Sequence, residues 1–443
     1  MCYNSLVMES KGWRLMNQIT KRLLNTIEVS TSPTHCVQEA KRQLLEAGFI
    51  ELNMAEPFEL KKDQGYVMEL YNSSILAFRV NEQFQLGEGF RFAYAHTDFC
   101  GFRLKAKPEM VEGAYKKLNV EVYGGPILNT FMDRPLSIAG KVAIRSRDLF
   151  HPEIRLVDFN RPLLTIPNIA IHLDRDVNKG KELNNQIDML PLMGMAGEHI
   201  KREEFIEALA KELKVSSKDI LDFELGVYVK EEGVEFGLKK EFISAPRIDN
   251  ISSVQACLTG IITGERSHGI DVIACFDHEE IGSRSKKGAD SNLLGLLLQK
   301  VYLSLGGSIT AYNDALLKSH CISVDVAHAV HPNKKEKSDV TNKVYLNQGI
   351  AIKITNTQEY ASDCEMVGIL VQICEKCGLP YQKYYNRSDI KGGSTLGTIV
   401  NSLLPMQTQD IGIPVLAMHS ARETMGIKDQ VNLEKLLIAY FSI

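Results

Sequence analysis

At Glu279-Glu280 two carboxylates stand side by side at the exit of a short apolar run, Val272-Ile273-Ala274-Cys275-Phe276, and a Gly282-Ser283 turn follows. Neighbouring carboxylates repel, so a buried pair is tolerable only where a cation or a shared proton separates their roles. The division of labour with most chemistry in it gives one glutamate a metal ion and the other the proton of a metal-activated water. Alone, the pair reads more simply as an exposed, solvated turn. The rest of the chain shifts that balance.

Other polar groups also sit where apolar, strand-like runs end. His96-Thr97-Asp98 closes the run ending at Ala95, Asp325 follows Cys321-Ile322-Ser323-Val324, and His419 follows Ile413-Pro414-Val415-Leu416-Ala417-Met418. Asp249 opens a helical pattern that begins near Asn250. Each has a bland explanation. A histidine after a strand is commonly a hydrogen-bonded loop residue, and Asp249 would make a good helix N-cap. Asp325 is harder to dismiss, because a carboxylate bordering an apolar strand needs a partner. Ligands of open α/β sheets bind beyond the carboxyl ends of the strands, so these groups are placed to converge. Two histidines and three carboxylates suit borderline divalent ions, Zn²⁺ first, with Co²⁺ or Mn²⁺ as alternatives.

The elements that must position them follow from periodicity. Residues 13–48 read as helical, broken at Ser30-Thr31-Ser32-Pro33-Thr34; strand-like segments at 75–80 and 90–95 come next. From about 106 to 240, short strand-like runs (118–123, 136–145, 163–172) alternate with Gly/Pro/Asn turns, with one amphipathic helix near Arg202 to Leu213. Beyond Pro246, strands near 272–276, 321–326 and 413–418 alternate with helices from Asn250 and at 292–304, 363–376 and 395–404. That alternation predicts an α/β fold with a mostly parallel mixed sheet flanked by helices, interrupted by an inserted β-rich second domain. The expected division is 1–105 with 241–443 around an insertion at 106–240.

Composition narrows the function classes. With 443 residues, 44% hydrophobic and 24% charged, the chain has the make-up of a soluble two-domain protein. A net charge of −4 and the lack of Lys/Arg blocks argue against nucleic acid as a partner. The most apolar run, Leu293 to Leu298, is far too short to span a membrane. Nine mostly scattered cysteines and no apolar leader at the N-terminus predict reduced thiols and a cytoplasmic protein. Cys374-Glu375-Lys376-Cys377 has no second pair and reads as helix-face packing. Neither a Gly-x-Gly-x-x-Gly nor a phosphate-loop Gly-Lys-Ser/Thr occurs, which removes the generic dinucleotide reading.

Over nearly its whole length the chain resembles the aspartyl aminopeptidase family of dinuclear metallopeptidases. The matching stretches are Ala95-His96-Thr97-Asp98, Tyr123-Gly124-Gly125, Ile166 to Leu173, Phe276 to Ser285, Asp325 to Asn333, Gly392 to Gly397 and Ala417-Met418-His419-Ser420. The resemblance implies that Asp249 bridges two metals, that His96 and Asp325 complete one site, and that Glu280 and His419 complete the other. It makes Glu279 the general base and Asp98 the group that orients His96. It implies that His172 reaches a neighbouring subunit's active site, that Lys353 selects acidic side chains, and that His328 and His331 line the substrate cleft. Peptides with a free N-terminus would be the substrates, Asp or Glu the preferred first residue, and a homo-oligomeric dodecamer the assembly, built through the insertion. Phe99-Cys100 stands where many relatives have Ser-Pro, and Arg387 to Lys391 looks bacterial in type. The alternatives are a peptidase of neutral or basic specificity, a metal-dependent deacylase, and an inactive self-assembling scaffold.

Overall fold

The computed structural model describes residues 2–196 and 204–443, with side chains from residue 15 onward. The chain divides into two compact units. One comprises Met1–Asp98, Gly233–Met418 and Glu423–Ile443; the other comprises Phe99–Glu232 and His419–Arg422. The boundaries therefore fall several residues before the expected 105/106 and 240/241 positions. A four-residue piece containing His419 also joins the second unit, which a linear reading of the chain does not anticipate.

The first unit is built on a nine-stranded mixed sheet in the order Ile50–Glu51, Gln64–Leu70, Ser74–Val80, Ile270–Phe276, Phe90–His96, His320–Val324, Gln407–Gly412, Ile350–Lys353 and Tyr381–Tyr384. Its four central strands, from Ile270–Phe276 to Gln407–Gly412, run parallel. Alternation along Phe90–His96 shows why the sheet is covered on both faces. Ala93 and Ala95 join one buried apolar cluster, whereas Phe90, Phe92 and Tyr94 join the other. The first cluster lies under helices Pro33–Glu46, Ile248–Thr263, Cys364–Cys377 and Ile427–Tyr440; the second includes Leu298, Tyr302, Tyr312 and Val400 from helices Leu293–Ser304, Ile309–Leu317 and Leu396–Leu403.

Helix ends follow local chemistry. Ser32 caps Pro33–Glu46 by accepting from the His35 amide, with Pro33 supplying a favourable first-turn backbone. Asp363 caps Cys364–Cys377 in the same way, and Gly378 ends it at φ 63°. Within that helix Cys374 is core and Cys377 exposed, in keeping with packing rather than a thiol pair. The expected strand at 413–418 is corrected. Gln407–Gly412 lies in the main sheet, while Pro414–Leu416 joins a separate five-stranded sheet with Ala327–His328 and Glu423–Gly426. Polar Gln407, Thr408, Gln409 and Asp410 conceal a buried strand that periodicity alone cannot see.

The second unit has a six-stranded antiparallel sheet around Phe102, Leu118, Val120, Leu136 and Val227. Its helix runs Glu204–Leu213, and the Glu109 carboxylate accepts the amides of Glu204 and Phe205 at its start. Arg202, where the helix is expected to begin, lies outside the described residues. The expected strand at 163–172 is not a strand; it contributes only isolated bridges at Leu164 and Thr165. Pro167 cannot donate to a ladder, and the chain beyond it turns away, leaving Ile169, Ile171 and Leu173 exposed.

Leu258, fully buried on Ile248–Thr263, tests the packing beneath the sheet. Leu258→Ala is expected to lower stability by about 2–5 kcal/mol, read as a shift of the first unit's urea midpoint.

Candidate metal centre

Three adjacent parallel strands bring the chemistry together. Phe276 pairs with His96 across one neighbour, and Ser323 with Tyr94 across the other. The register therefore carries Asp277–Glu280, His96–Asp98 and Asp325 to the same carboxyl edge of the sheet. Asp249 arrives from the helix side, in a segment whose backbone (φ −75°, ψ 106°) is not helical. Asn250 anchors that segment by donating from Nδ2 to the Val324 carbonyl at 2.9 Å. The Asp249 amide donates to Glu423 Oε2 at 2.9 Å.

His96 is the centre of the cluster and is buried. Its Nε2 lies 3.3 Å from Asp249 Oδ1, 3.6 Å from Asp325 Oδ1 and 3.9 Å from Glu279 Oε2. Its Nδ1 lies 3.0 Å from the Asp98 carbonyl oxygen and 3.4 Å from Asp98 Oδ1. Burial alone would lower the His96 pKa, but the Glu279 charge and hydrogen bonding with Asp249, Asp325 and Asp98 raise it well above the usual value. Burial also pushes Glu279 well up, with Asp325, Glu280 and Asp98 adding to the rise and His96 opposing it. Asp325 moves down despite its burial, because Lys353 and His96 hold its charged form.

The Asp98 carboxylate also binds backbone groups. Its Oδ1 and Oδ2 accept the amides of Glu279 and Glu280, each at 3.1 Å. One buried side chain thus ties the exit of Phe90–His96 to the turn that carries both glutamates.

Four carboxylates (Asp98, Asp249, Glu279 and Asp325) face one imidazole here, with Lys353 Nζ 3.5 Å from Asp325 Oδ2. Among the described residues, two cationic side chains stand against four acids, Asp98 and Asp249 buried and Glu279 and Asp325 largely covered, and such a surplus is costly unless a cation enters. The ligand-capable atoms of His96, Asp249 and Asp325 lie within 4.8 Å of one another, and one nitrogen with carboxylate oxygens is a donor set for Zn²⁺. The residues fit a divalent metal.

The remaining expected residues fall as follows. Glu280 stands beside Glu279 in the first unit, whereas His419 belongs to the second, its Nδ1 3.1 Å from the Gly125 carbonyl oxygen. Lys353 is buried at the end of its strand. His172 is exposed in a turn. His328 and His331 are exposed and line a common cavity.

Several participants escape sequence reasoning. Asp410 is fully buried, its Oδ2 accepts the Ala361 amide at 2.6 Å, and burial raises its pKa to about 6, against the charge of Lys353. Ser73 reaches Asp277 Oδ2 at 2.6 Å and, through its carbonyl, accepts from Thr97 Oγ1 at 2.7 Å. Asp277 directly before His278-Glu279-Glu280 was a readable signal; Ser73, some two hundred positions away, was not. Gly412 contributes by its lack of a side chain, since a Cβ there would sit 1.6 Å from the Asp325 carbonyl oxygen.

A sequence model of the aminopeptidase I zinc metalloprotease (M18) family matches residues 26–441. A probable M18 family aminopeptidase 2 from Clostridium acetobutylicum is 42% identical over 428 residues, covering 96% of this chain and 99% of that protein. One from Pseudomonas aeruginosa is 35% identical over 428 residues, covering 96% and 98%. Among solved structures, the chain is similar to that of the Ape4 and Nbr1 complex, with a TM-score of 0.92, 30% identity, and 96% of this chain and 86% of that chain covered.

Asp98→Asn sets an amide NH₂ against a backbone N–H donor. It is expected to reduce metal affinity or activity ~10- to 100-fold, measured by metal titration alongside turnover. Gly412→Ala should cost about 1–3 kcal/mol through overpacking and weaken metal binding through Asp325; unfolding curves with and without Zn²⁺ check both.

Proposed function

This chain belongs to the M18 family of aminopeptidase I zinc metalloproteases, and on that premise we propose that it removes N-terminal Asp and Glu from peptides with Glu279 as general base. Metal-dependent aminopeptidase activity comes with the family; the substrate preference, the ligand assignment and the proton path are the proposal. The observation that carries it is the buried cluster of His96, Asp249 and Asp325 with Glu279 Oε2 3.9 Å from the His96 ring.

His96, Asp249 and Asp325 would hold divalent metal, and the family resemblance adds Glu280 and His419 as further ligands. Ions bound there supply Lewis acidity to the scissile carbonyl and make water a better nucleophile at neutral pH. Glu279 takes the proton from the attacking water at a carboxylate oxygen and returns it to the departing amine nitrogen. Asp98 keeps that carboxylate in place through the two amides it accepts. Lys353 offers positive charge beside the centre for an acidic first side chain. Its 3.5 Å approach to Asp325 means that charge is already engaged, which favours broader specificity as the second reading.

The proposal extends to assembly and setting. The S. cerevesiae mApe1 dodecamer has the same fold, at 20% identity and TM-score 0.83. A dodecamer is proposed here, built through the β-rich unit, with exposed His172 directed to a neighbouring subunit's site. The nine scattered thiols support a cytoplasmic setting.

Chelation should abolish cleavage of aspartyl and glutamyl peptides, and Zn²⁺, Co²⁺ or Mn²⁺ should restore it. Glu279→Gln is expected to retain metal and lose ~10²–10⁴-fold in kcat; near-normal turnover with metal bound would refute the base assignment. Equal rates on leucyl or lysyl peptides would replace the acidic preference with the broader reading.

A further inference from the structure

Within the first unit a cavity of about 390 Å³ opens against Tyr384 and His328. Lys334, Lys337, Arg387 and Lys391 line it together with His328 and His331, and no Asp or Glu side chain does so among the described residues. Arg387 is partly engaged, by Asp389 at 2.7 Å and by the Glu336 carbonyl. Lys334, Lys337 and Lys391 are exposed. In a chain of net charge −4, four cationic side chains on two loops facing one cavity form a local field that draws anions.

The cavity's place is set by a line of contacts. Lys353 Nζ lies 3.5 Å from Asp325 Oδ2 and 5.3 Å from the centre of the Tyr360 ring. Tyr360 and Tyr384 have ring centres 6.2 Å apart, and those of Tyr384 and His328 are 6.4 Å apart. Tyr384 and His328 line the cavity. The sequence of contacts runs outward, from buried Lys353 and the ligand-bearing edge to exposed loops. Only one residue of an aminopeptidase substrate precedes the scissile bond, and its amine must sit at the metals. Beyond the first residue's own side chain, which would end at Lys353, whatever extends outward from the centre is the chain that follows.

We propose that this cavity binds carboxylates downstream of the scissile bond, so that the enzyme favours short peptides carrying negative charge in their second to fourth residues. The proposal rests on the aminopeptidase reading and deepens it. A downstream carboxylate can come from an Asp or Glu side chain or from the free C-terminus of a short peptide, and the cations recognise their shared chemistry. The partners are exposed, so each contact is screened, and the gain is expected to weaken as salt rises.

The test uses the metal-loaded enzyme and three substrates: Asp-Ala-Ala-amide, Asp-Ala-Glu-amide and Asp-Ala-Ala with a free carboxylate. Each added carboxylate should raise kcat/KM ~2- to 5-fold over the neutral amide, the range of a single exposed ion pair, mainly through KM. In the Lys334→Ala/Lys391→Ala enzyme the ratio to the neutral amide should fall toward one. Lys334→Glu/Lys391→Glu should invert it. A gain for the side chain alone, or for the terminus alone, supports the cavity and identifies which carboxylate it reads. Equal kcat/KM for all three substrates in the unaltered enzyme would overturn the proposal and leave the peptidase reading intact. So would a gain that survives both double variants. Cleavage of none of the three would instead count against the function itself.

Discussion

Around the His96 imidazole, Asp98, Asp249, Glu279 and Asp325 are gathered into a space from which water is largely excluded. Acids so placed repel one another and lose hydration, a cost of several kcal/mol per ion if nothing compensates. The compensation comes in parts. Lys353 answers Asp325, two backbone amides answer Asp98, and the Ala361 amide answers the neighbouring Asp410. The charge left over is what a divalent ion neutralises. The metal is thus part of the electrostatic balance of this edge of the sheet as well as a reagent.

That balance constrains the fold that carries it. Parallel pairing of three central strands delivers groups distant in sequence to one edge without any loop having to find its own position. Ala93 and Ala95 are small on the side where Ile248–Thr263 packs, and that helix brings Asp249 in at its start. Gly412 lets the backbone at Asp325 lie against the end of Gln407–Gly412, where the Asp325 amide donates to the Ile411 carbonyl at 2.9 Å. Behind the glutamates, Ser73 and Ser74 bind Asp277 from the hairpin of Gln64–Leu70 and Ser74–Val80. Support of this kind, from two strands at once, fixes the turn that carries both glutamates within a narrow tolerance.

The legible and the illegible parts of the site divide along a physical line. His96, Asp98, Asp325 and the glutamate pair were readable because polar residues that interrupt apolar strands have few inexpensive explanations. Lys353 was half readable: its position in Ile350–Lys353 was visible, its burial beside Asp325 was not. Asp410 was hidden by polar neighbours in a strand that breaks the usual apolar pattern. The stretch at 163–172 misled in the opposite direction, because β-branched and apolar residues flank a proline that ends pairing.

By itself, then, the amino-acid sequence determined the kinds of element, their α/β alternation, the insertion of a β-rich unit and the polar residue types gathered at the strand ends. These are local properties, written in periodicity, turn chemistry and the cost of placing charge at a strand's end. Register, burial and charge pairing belonged to tertiary structure. Only a folded sheet sets Ser323 against Tyr94, turns the Asp98 carboxylate toward two amides from another strand, and assigns residues 419–422 to a different unit from their sequence neighbours. Such facts depend on contacts between residues hundreds of positions apart, whose energies no window of sequence contains.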